Sequence, residues 1–475
     1  MRSLLVALMA ATALGGCTLA PRYERPVLPV GSSWPTSTPT ETSNVSGADL
    51  AWRDVFQDPR LQAVIALSLE QNRDLRVAVA NIEQARAQYR IQRADLLPGI
   101  NANGSYTRSS QPAGAAIPGQ TGSFKLDQYT VSAGFSAYEL DLFGRVRSLS
   151  NAALQSFFAT EENRRAVQIS LISEVANAYL TLAADQDLLA ITLDTLASRE
   201  AGLDLNRKRF EAGAASELDL RQVETLAEQA RSDAAVAKAQ VERDRNALRL
   251  LVGAEVPAAQ LPQGDLKAVG VLADIPAGLP SEVLTRRPDV RAAEHTLQAR
   301  NANIGAARAA FFPRITLTGS EGSVSPDLSG LFGSGTRTWS FAPQIVLPIF
   351  AGGANIANLK GAEAQRDAAV AQYEKAVQTA FREVSDALAT RATINERIAA
   401  QERLVEAATV TQRLTQARYD RGVDSYLALL DAQRTLYAAR QTLLAAQLAR
   451  AANRVELYRA LGGGAPTGTA PTDRG

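Results

Sequence analysis

Apolar residues recur along the first half of the chain with two different periods. From residue 58 to residue 97 they follow helical spacing. Pro98 is expected to end this helix, because proline cannot continue it, and after Pro98 apolar and polar residues alternate as in a β-strand. The predicted elements are a helix over 58–97, strands near 100–106 and 129–137, and helices over 146–210 and 217–252.

The same order of elements returns in the second half. "LLPGINANGS" (Leu96–Ser105) and "FFPRITLTGS" (Phe311–Ser320) stand 215 positions apart, and "RFEAG" (Arg209–Gly213) matches "RYDRG" (Arg418–Gly422) at an offset of 209. Pro313 is the predicted helix–strand transition of this half. The sequence therefore predicts a tandem repeat. Its parts are repeat 1 over 58–253, a linker over 254–280 and repeat 2 over 281–461, with strands near 315–321 and 338–347 and helices over 355–419 and 425–461.

The last predicted helix carries two apolar seams on nearly opposite flanks. The first steps by three and four positions, as in a heptad pattern, through Leu427, Leu430, Arg434, Tyr437, Gln441, Leu444, Leu448, Ala451, Val455 and Tyr458. The second contains Leu429, Ala432, Leu436, Ala439, Leu443 and Ala446. One remaining side is polar (Gln433, Arg440, Gln447, Arg454), and the other is mostly small (Ala428, Asp431, Thr435, Ala438, Thr442, Ala445). Such a helix can pack against a neighbour on each flank and form part of the wall of a tube. The alternative is a long helical bundle with a filled core.

The N-terminus has the pattern of a lipoprotein signal peptide. A short basic start precedes an apolar run over Leu4–Leu14 and the sequence "LGGC". We interpret residues 1–16 as the signal peptide and Cys17, the only cysteine, as the lipid-bearing (palmitate) mature N-terminus, with a buried thiol as the alternative. Thr18 replaces the aspartate that retains many lipoproteins in the inner membrane, which favours the outer membrane.

Residues 17–57 are rich in Pro, Ser and Thr and are interpreted as a lipidated tether, and residues 462–475 as a disordered tail. Beyond the signal peptide we find no apolar run of about eighteen residues, so any membrane span is expected to be β. The alternating strands suit a membrane barrel, although a soluble sheet alternates likewise. Four strands cannot close a barrel, and an open sheet edge cannot lie in lipid. An oligomer therefore follows if the strands are in the membrane.

Composition excludes several other classes. The net charge of +1 gives no electrostatic reason to expect nucleic acid, and the abundance of Ala, Leu, Gln and Arg favours long helices. His295 is the sole histidine and is expected to be a solvated helix residue, and no Gly-rich phosphate loop occurs. The only cysteine is assigned to lipid, and both methionines lie in the signal peptide. The sequence therefore predicts no enzyme, no cofactor and no metal site.

Several long motifs resemble the outer membrane factor (TolC) family, most closely its OprM/NodT-like lipoprotein branch. They are "AWRDVFQDPRLQAVIALSLEQNRDLRVA" (Ala51–Ala78), "ELDLFGRVR" (Glu139–Arg147), "RRPDVRAAEHTLQARNANIGAARAAFFPRITLTGS" (Arg286–Ser320), "LPIFAGG" (Leu347–Gly353) and "YDRGVDSYLALLDAQRTLYAARQ" (Tyr419–Gln441). The resemblance implies a homotrimer with a twelve-stranded β-barrel in the outer membrane, continuous with a periplasmic α-helical barrel. It also implies docking to a periplasmic adaptor and an inner-membrane pump, most often of the RND type, for efflux of drugs, solvents or other toxic molecules.

The resemblance also implies a closed periplasmic tip. Leu427 is similar to the family's hydrophobic constriction residue, and Asp431 to its lumen-facing carboxylate ring, in which three like charges repel each other and attract cations. A solvated Asp near a helix start is the alternative. Arg418 and Tyr419 resemble residues that tie neighbouring coils together, and Asp219 lies where the first half would supply a partner carboxylate.

Two positions depart from the family pattern. Gln222 occupies the first-half position that matches Asp431, and Ala351 replaces a common acidic residue. Two other functions stay open from the residues alone: an outlet for type I protein secretion, and a periplasmic coiled-coil structural or adaptor lipoprotein. The two strand pairs count against the adaptor, because an adaptor needs no lipid-facing barrel.

Overall fold

The structure is a computed structural model that describes residues 18–31, 33–35, 51–112, 122–270 and 281–463. The predicted signal peptide, Cys17, residues 32 and 36–50 of the tether, residues 271–280 of the linker and residues 464–475 of the tail lie outside them.

The described residues are mainly helical, with four strands that lie as one pair in each repeat. The helices are α1 (Trp52–Val55), α2 (Pro59–Gln71), α3 (Arg73–Ala94), α4 (Arg145–Glu211), α5 (Glu217–Val252), α6 (Leu266–Val269), α7 (Pro288–Ala309), α8 (Ala354–Asp420) and α9 (Tyr426–Ala460). The strands are β1 (Ile100–Pro112), β2 (Ser123–Leu140), β3 (Arg314–Ser325) and β4 (Arg337–Val346). Short 3-10 helices cover Ala258–Gln260, Ser281–Arg286 and Leu328–Gly330. The predicted fold class, with its long helices and tandem repeat, is confirmed.

The first predicted helix is divided at Asn72. α2 ends at Gln71, and Asn72 has an extended backbone with ψ of 134°. Its Oδ1 accepts a 2.8 Å hydrogen bond from the N–H of Leu75, and its Nδ2 donates to the carbonyl oxygen of Leu251 at 2.8 Å. The prediction of one continuous helix over 58–97 is therefore wrong, because this side chain caps α3 and satisfies the last turn of α5.

Pro98 and Pro313 lie in matching connections between a helix and a strand. α3 ends at Ala94 and α7 at Ala309, and each helix is followed by a tight turn. The turns are closed by hydrogen bonds from Leu97 N to Ala94 O (2.9 Å) and from Phe312 N to Ala309 O (3.0 Å). The helices thus stop about one turn before the prolines, and the strands begin just after them.

The four strands form one antiparallel sheet in the order β1-β2-β3-β4. Each strand extends beyond its predicted range at one or both ends. β1 pairs with β2 from Ile100↔Phe135 to Pro112↔Ser123. β2 and β3 join the two repeats, with a register shift between Phe135 and Tyr138. A Cβ at Gly134 would collide with the carbonyl oxygen of Gly319, so glycine permits this close approach. Among the described residues, β1 and β4 each have one neighbour and form the sheet edges.

The described residues divide into two compact units. The first contains the sheet and comprises residues up to Val27, Asn81–Glu161 and Ala292–Tyr373, and the second comprises Leu28–Ala80, Glu162–Arg291 and the chain from Glu374 onward. In the second unit Trp34 of the tether stacks on Phe381 with ring centroids 4.8 Å apart.

α4 is the one described helix with a stretch long and apolar enough to cross a membrane by length and composition. From the sequence, no such helix is expected outside the signal peptide. However, 56% of that stretch is buried inside the protein, as in a core helix of a soluble protein, so it is weak evidence for a helical span.

Candidate functional site

Two helix hairpins end in turns of the same geometry. α4 passes to α5 at Gly213 and α8 passes to α9 at Gly422, with φ of 71° and 72° in the left-handed region that favours glycine. The N–H of Ala214 donates to the carbonyl oxygen of Arg209 at 2.7 Å, and the N–H of Val423 donates to that of Arg418 at 2.9 Å. The internal repeat therefore extends to the hydrogen bonding of the two tips.

A small buried cluster lies next to the tips. It consists of Val223, Tyr419, Tyr426, Leu429 and Leu430. The hydroxyl of Tyr419 donates a buried 2.9 Å hydrogen bond to Oδ1 of Asn206, which joins α8 to α4. The guanidinium of Arg209 lies over the Tyr419 ring, 4.9 Å from its centroid. Tyr419 thus connects two hairpins that belong to different repeats.

Arg199 makes a second connection between the repeats. It is 6% exposed and donates a short hydrogen bond to Oε1 of Gln433, which joins α4 to α9. Burial lowers the pKa of Arg199 below its usual value. Nearby, the hydroxyls of Thr192 and Tyr437 are 3.1 Å apart. The sequence did not single out Arg199 or Thr192, because both lie within an ordinary helical run, and it placed Gln433 and Tyr437 on α9 without indicating their partners.

Arg418 forms an ion pair within its own turn. Its Nε and Nη2 lie 2.6 and 2.8 Å from the carboxylate oxygens of Asp424. Hydrogen bonding and charge lower the pKa of Asp424 and raise that of Arg418. Asp424 is not predictable from the sequence pattern, because residues six positions apart are neighbours neither on a helix nor on a strand.

Asp219 caps a helix. With Ser216 it forms a capping box at the start of α5, in which Ser216 Oγ donates to Asp219 Oδ2 at 2.7 Å and accepts from Asp219 N–H at 3.1 Å. Within the described chain, Arg418 pairs with Asp424, so Arg418 and Asp219 are not brought together.

Leu427 and Asp431 lie one turn apart on an exposed face of α9. Leu427 is 57% exposed, and the whole small-residue side is exposed: Ala428, Asp431, Thr435, Ala438, Thr442 and Ala445. The Asp431 carboxylate forms no ion pair with any residue that the structure describes, so it is free to face solvent or another chain.

The two predicted seams of α9 differ in burial. The second is buried at every position except Leu443, which is half-buried. The first is exposed near the tip at Leu427 and Arg434 but buried at its far end. Gln447, predicted on the polar side, is instead buried. Near the tip, α9 therefore presents unpartnered surface on one flank.

His295 is not the solvated residue that the sequence suggests. Its Nδ1 lies 2.8 Å from Oε1 of Gln155, and its ring lies against Phe158 with centroids 5.5 Å apart. Over the described ranges, no group of three or more metal-ligating side chains includes it. Its contacts are those of a packing residue between α7 and α4.

The family model described as "Outer membrane efflux protein" matches residues 64–254 and 279–463, one stretch in each repeat. The chain therefore belongs to this family. It is a channel of efflux pumps in the outer membrane and not an enzyme, and the resemblance to the TolC family and its OprM-like branch is confirmed.

Two relatives and two solved structures carry this assignment. The chain is 48% identical over 466 residues to the probable efflux pump outer membrane protein TtgC of Pseudomonas putida (98% of this chain, 96% of the relative). It is 46% identical over 458 residues to outer membrane protein OprJ of Pseudomonas aeruginosa (96% and 95%). A membrane protein from Pseudomonas aeruginosa matches with a TM-score of 0.88 at 46% identity (94% of this chain, 100% of that chain). The open state of the MtrE outer membrane channel of Neisseria gonorrhoeae matches with a TM-score of 0.84 at 43% identity (94% of this chain, 98% of that chain).

Proposed function

We propose that the chain assembles as a homotrimer that forms the exit duct of a tripartite efflux system. The sheet carries this proposal: four strands leave β1 and β4 as open edges, and three copies would close them into a twelve-stranded barrel in the outer membrane. The long hairpins would form the periplasmic tube, with a periplasmic adaptor and an RND-type inner-membrane pump as partners.

The proposed cargo is small toxic compounds such as solvents and antibiotics. Two Pseudomonas putida relatives, each 48% identical, are named as a toluene efflux pump outer membrane protein and an antibiotic efflux pump outer membrane protein. A protein-secretion outlet is less well supported, because three of the relatives named here are efflux pump outer membrane proteins. A periplasmic adaptor is less well supported because of the sheet.

Native mass measurement and planar-bilayer conductance test the assembly together. The detergent-purified chain is expected to have the mass of three copies and to conduct ions after insertion. A monomer, or a trimer that does not conduct even when Tyr419→Phe loosens the closed tip, would refute the proposed duct. Expression in a strain that lacks its own outer membrane efflux channel should restore toluene and antibiotic tolerance.

We further propose that Cys17 carries the lipid anchor. The residues that follow it support this, because they are fixed against the unit that holds the sheet. Thr18 Oγ1 lies 3.5 Å from Ser148 Oγ, near the start of α4, and Asn301 Nδ2 donates to the carbonyl oxygen of Pro21 at 2.7 Å. Arg25 forms an ion pair with Glu294 at 2.8 Å.

Metabolic labelling with a palmitate analogue tests the anchor. Cys17→Ser is expected to lose the label, whereas the neighbouring Thr18→Ser keeps it. Equal labelling of Cys17→Ser and the natural chain would exclude this cysteine as the acylation site.

A further inference from the structure

A cleft of about 270 Å³ lies where the strands of the sheet meet the helices of the same unit. Leu140 at the end of β2, Arg314 at the start of β3 and Val346 at the end of β4 all line it. One wall is apolar, and Phe143 and Phe312 stack beside it with ring centroids 4.8 Å apart. The other wall is charged.

Two guanidinium groups, Arg145 and Arg314, and two carboxylates, Glu139 and Asp141, line the charged wall. Arg145 binds both oxygens of Glu139, at 2.8 and 2.7 Å, and Nε of Arg314 lies 2.7 Å from the same carboxylate. One acid thus serves two arginines. Among the described residues, Arg314 forms a salt bridge only with Glu139, through Nε, and the Arg314 side chain is 56% exposed.

The second acid in the cleft is already neutralised. Oδ2 of Asp141 accepts hydrogen bonds from the backbone N–H of Arg147 at 2.8 Å and from its Nε at 3.1 Å. Oδ1 of Asp141 accepts from the N–H of Val146 at 3.1 Å. The Arg147–Asp141 pair therefore leaves the excess positive charge on Arg314.

An exposed apolar path continues from the cleft. Val346 is 51% exposed, Leu347 is 53% exposed, and Ile349 and Phe350 follow at 93% and 90%. Such a run costs free energy in water, at roughly 25 cal/mol per Å² of apolar surface. Positive charge beside an apolar path is the chemistry that recognises a lipid phosphate with its acyl chain.

We propose that this cleft binds a phospholipid of the membrane leaflet, with its phosphate at Arg314 and Arg145 and an acyl chain along Val346 to Phe350. The inference rests on the proposed function, because it requires the sheet to lie in the outer membrane. Inorganic phosphate shares the anionic group but cannot cover the apolar path, so it is expected to bind far more weakly.

Titration with phosphatidylethanolamine, followed by native mass spectrometry of the purified oligomer in mild detergent, tests the site. One lipid per subunit is expected to survive delipidation. Arg314→Gln is expected to weaken retention at least tenfold, and Arg314→Lys, which keeps the charge, by much less. Phe312→Ala tests the apolar wall independently of charge and is expected to weaken retention as well.

The matched control is Arg337→Gln. Arg337 is also ion-paired to a glutamate, Glu321, but it lies at the other end of β3 and β4, roughly 30 Å along the strands. It is expected to retain lipid like the natural chain. Diacylglycerol and inorganic phosphate, each offered alone, are expected not to displace the phospholipid.

Equal retention by Arg314→Gln and the natural chain would overturn the site, as would displacement by inorganic phosphate at matched concentration. A neighbouring subunit that fills the cleft would leave no bound lipid and would also overturn it. Bilayer conductance of the same samples separates the two proposals. A conducting trimer without lipid defeats only the lipid site, whereas a sample that neither trimerises nor conducts defeats both.

Discussion

The hydroxyl of Tyr419 donates its buried 2.9 Å hydrogen bond to Oδ1 of Asn206, so one hydroxyl links the second repeat to the first beside the hairpin tips. Tyr419→Phe removes the donor and leaves a buried carbonyl oxygen unpaired, at a cost of about 1–3 kcal/mol. We expect a lower melting temperature and a larger leak conductance. Tyr106→Phe, which removes an exposed hydroxyl bound to Asp127, is the control and should leave the leak unchanged.

Asp431→Asn is expected to reduce the preference of the channel for cations. Three copies of this exposed carboxylate around a narrow axis would attract cations, and the amide removes that charge at nearly constant size. The reversal potential in asymmetric salt measures the effect, which should be about twofold or more in permeability ratio. Asp420→Asn removes an exposed charge of the same hairpin. Equal shifts of the reversal potential in both variants would show that Asp431 does not line the narrow part of the pore.

Asp219→Ala separates helix capping from a role in the gate. Loss of the capping box should cost about 1 kcal/mol. Ser216→Ala breaks the same box and should cost a similar amount. If Asp219 also links coils at the tip, its variant alone should raise the leak conductance. Equal leak from both variants would leave Asp219 as a capping residue.

Arg287→Met is expected to destabilise the second unit strongly. Arg287 is 5% exposed, and its Nη2 lies 2.7 Å from Asp289 and 2.9 Å from Glu383. Removing one partner leaves buried charge uncompensated, at a cost of about 3 kcal/mol. Thermal unfolding measures the loss. Arg221→Met breaks an exposed pair and should change stability by less than about 1 kcal/mol, and an equal effect of both would contradict the argument.

Asp185 predicts a dependence of stability on pH. Burial, together with a hydrogen bond and charge from Asp244, raises the pKa of Asp185 from 3.8 to about 7. The unfolded chain therefore releases this proton near pH 4 but the folded chain holds it up to about pH 7. The contribution of Asp185 to the free energy of unfolding then falls as pH rises from about 4 to 7 and levels off above.

Asp185→Asn tests this dependence. The amide cannot ionise and still donates a hydrogen bond, so the difference in melting temperature from the natural chain should grow in favour of the variant between pH 4 and pH 7. Asp233→Asn, at a half-buried residue whose carboxylate accepts a hydrogen bond from Gln229, is the control and should show no such trend. A constant difference across this range would show that Asp185 titrates normally.

The periodic parts of this fold follow from the sequence, since period and repeat locate both strand pairs and the four long hairpin helices. The break at Asn72 is missed because apolar spacing continues across it. The internal repeat held the missing signal: Arg73 corresponds to Pro288, and proline at the first position of α7 marks a helix start.

The candidate site is only partly readable from sequence. Leu427 and Asp431 share one exposed face because four residues make about one helical turn. The ion pair of Arg418 with Asp424 depends on turn geometry, and the hydrogen bond of Tyr419 with Asn206 depends on packing between repeats. Neither contact produces a periodic pattern in the sequence. The charge excess at Arg314 likewise arises only when the end of β2 meets the start of β3.

The open sheet edges at β1 and β4 have a genetic consequence. In the proposed trimer each subunit supplies a third of one continuous wall, and no subunit can close its own edges. A variant subunit that is expressed together with the natural subunit would enter the same trimers. It would then impair the natural subunits in those trimers. Variants that damage the tip but spare the sheet should therefore be dominant over the natural gene, whereas variants that destroy the sheet edges should be recessive.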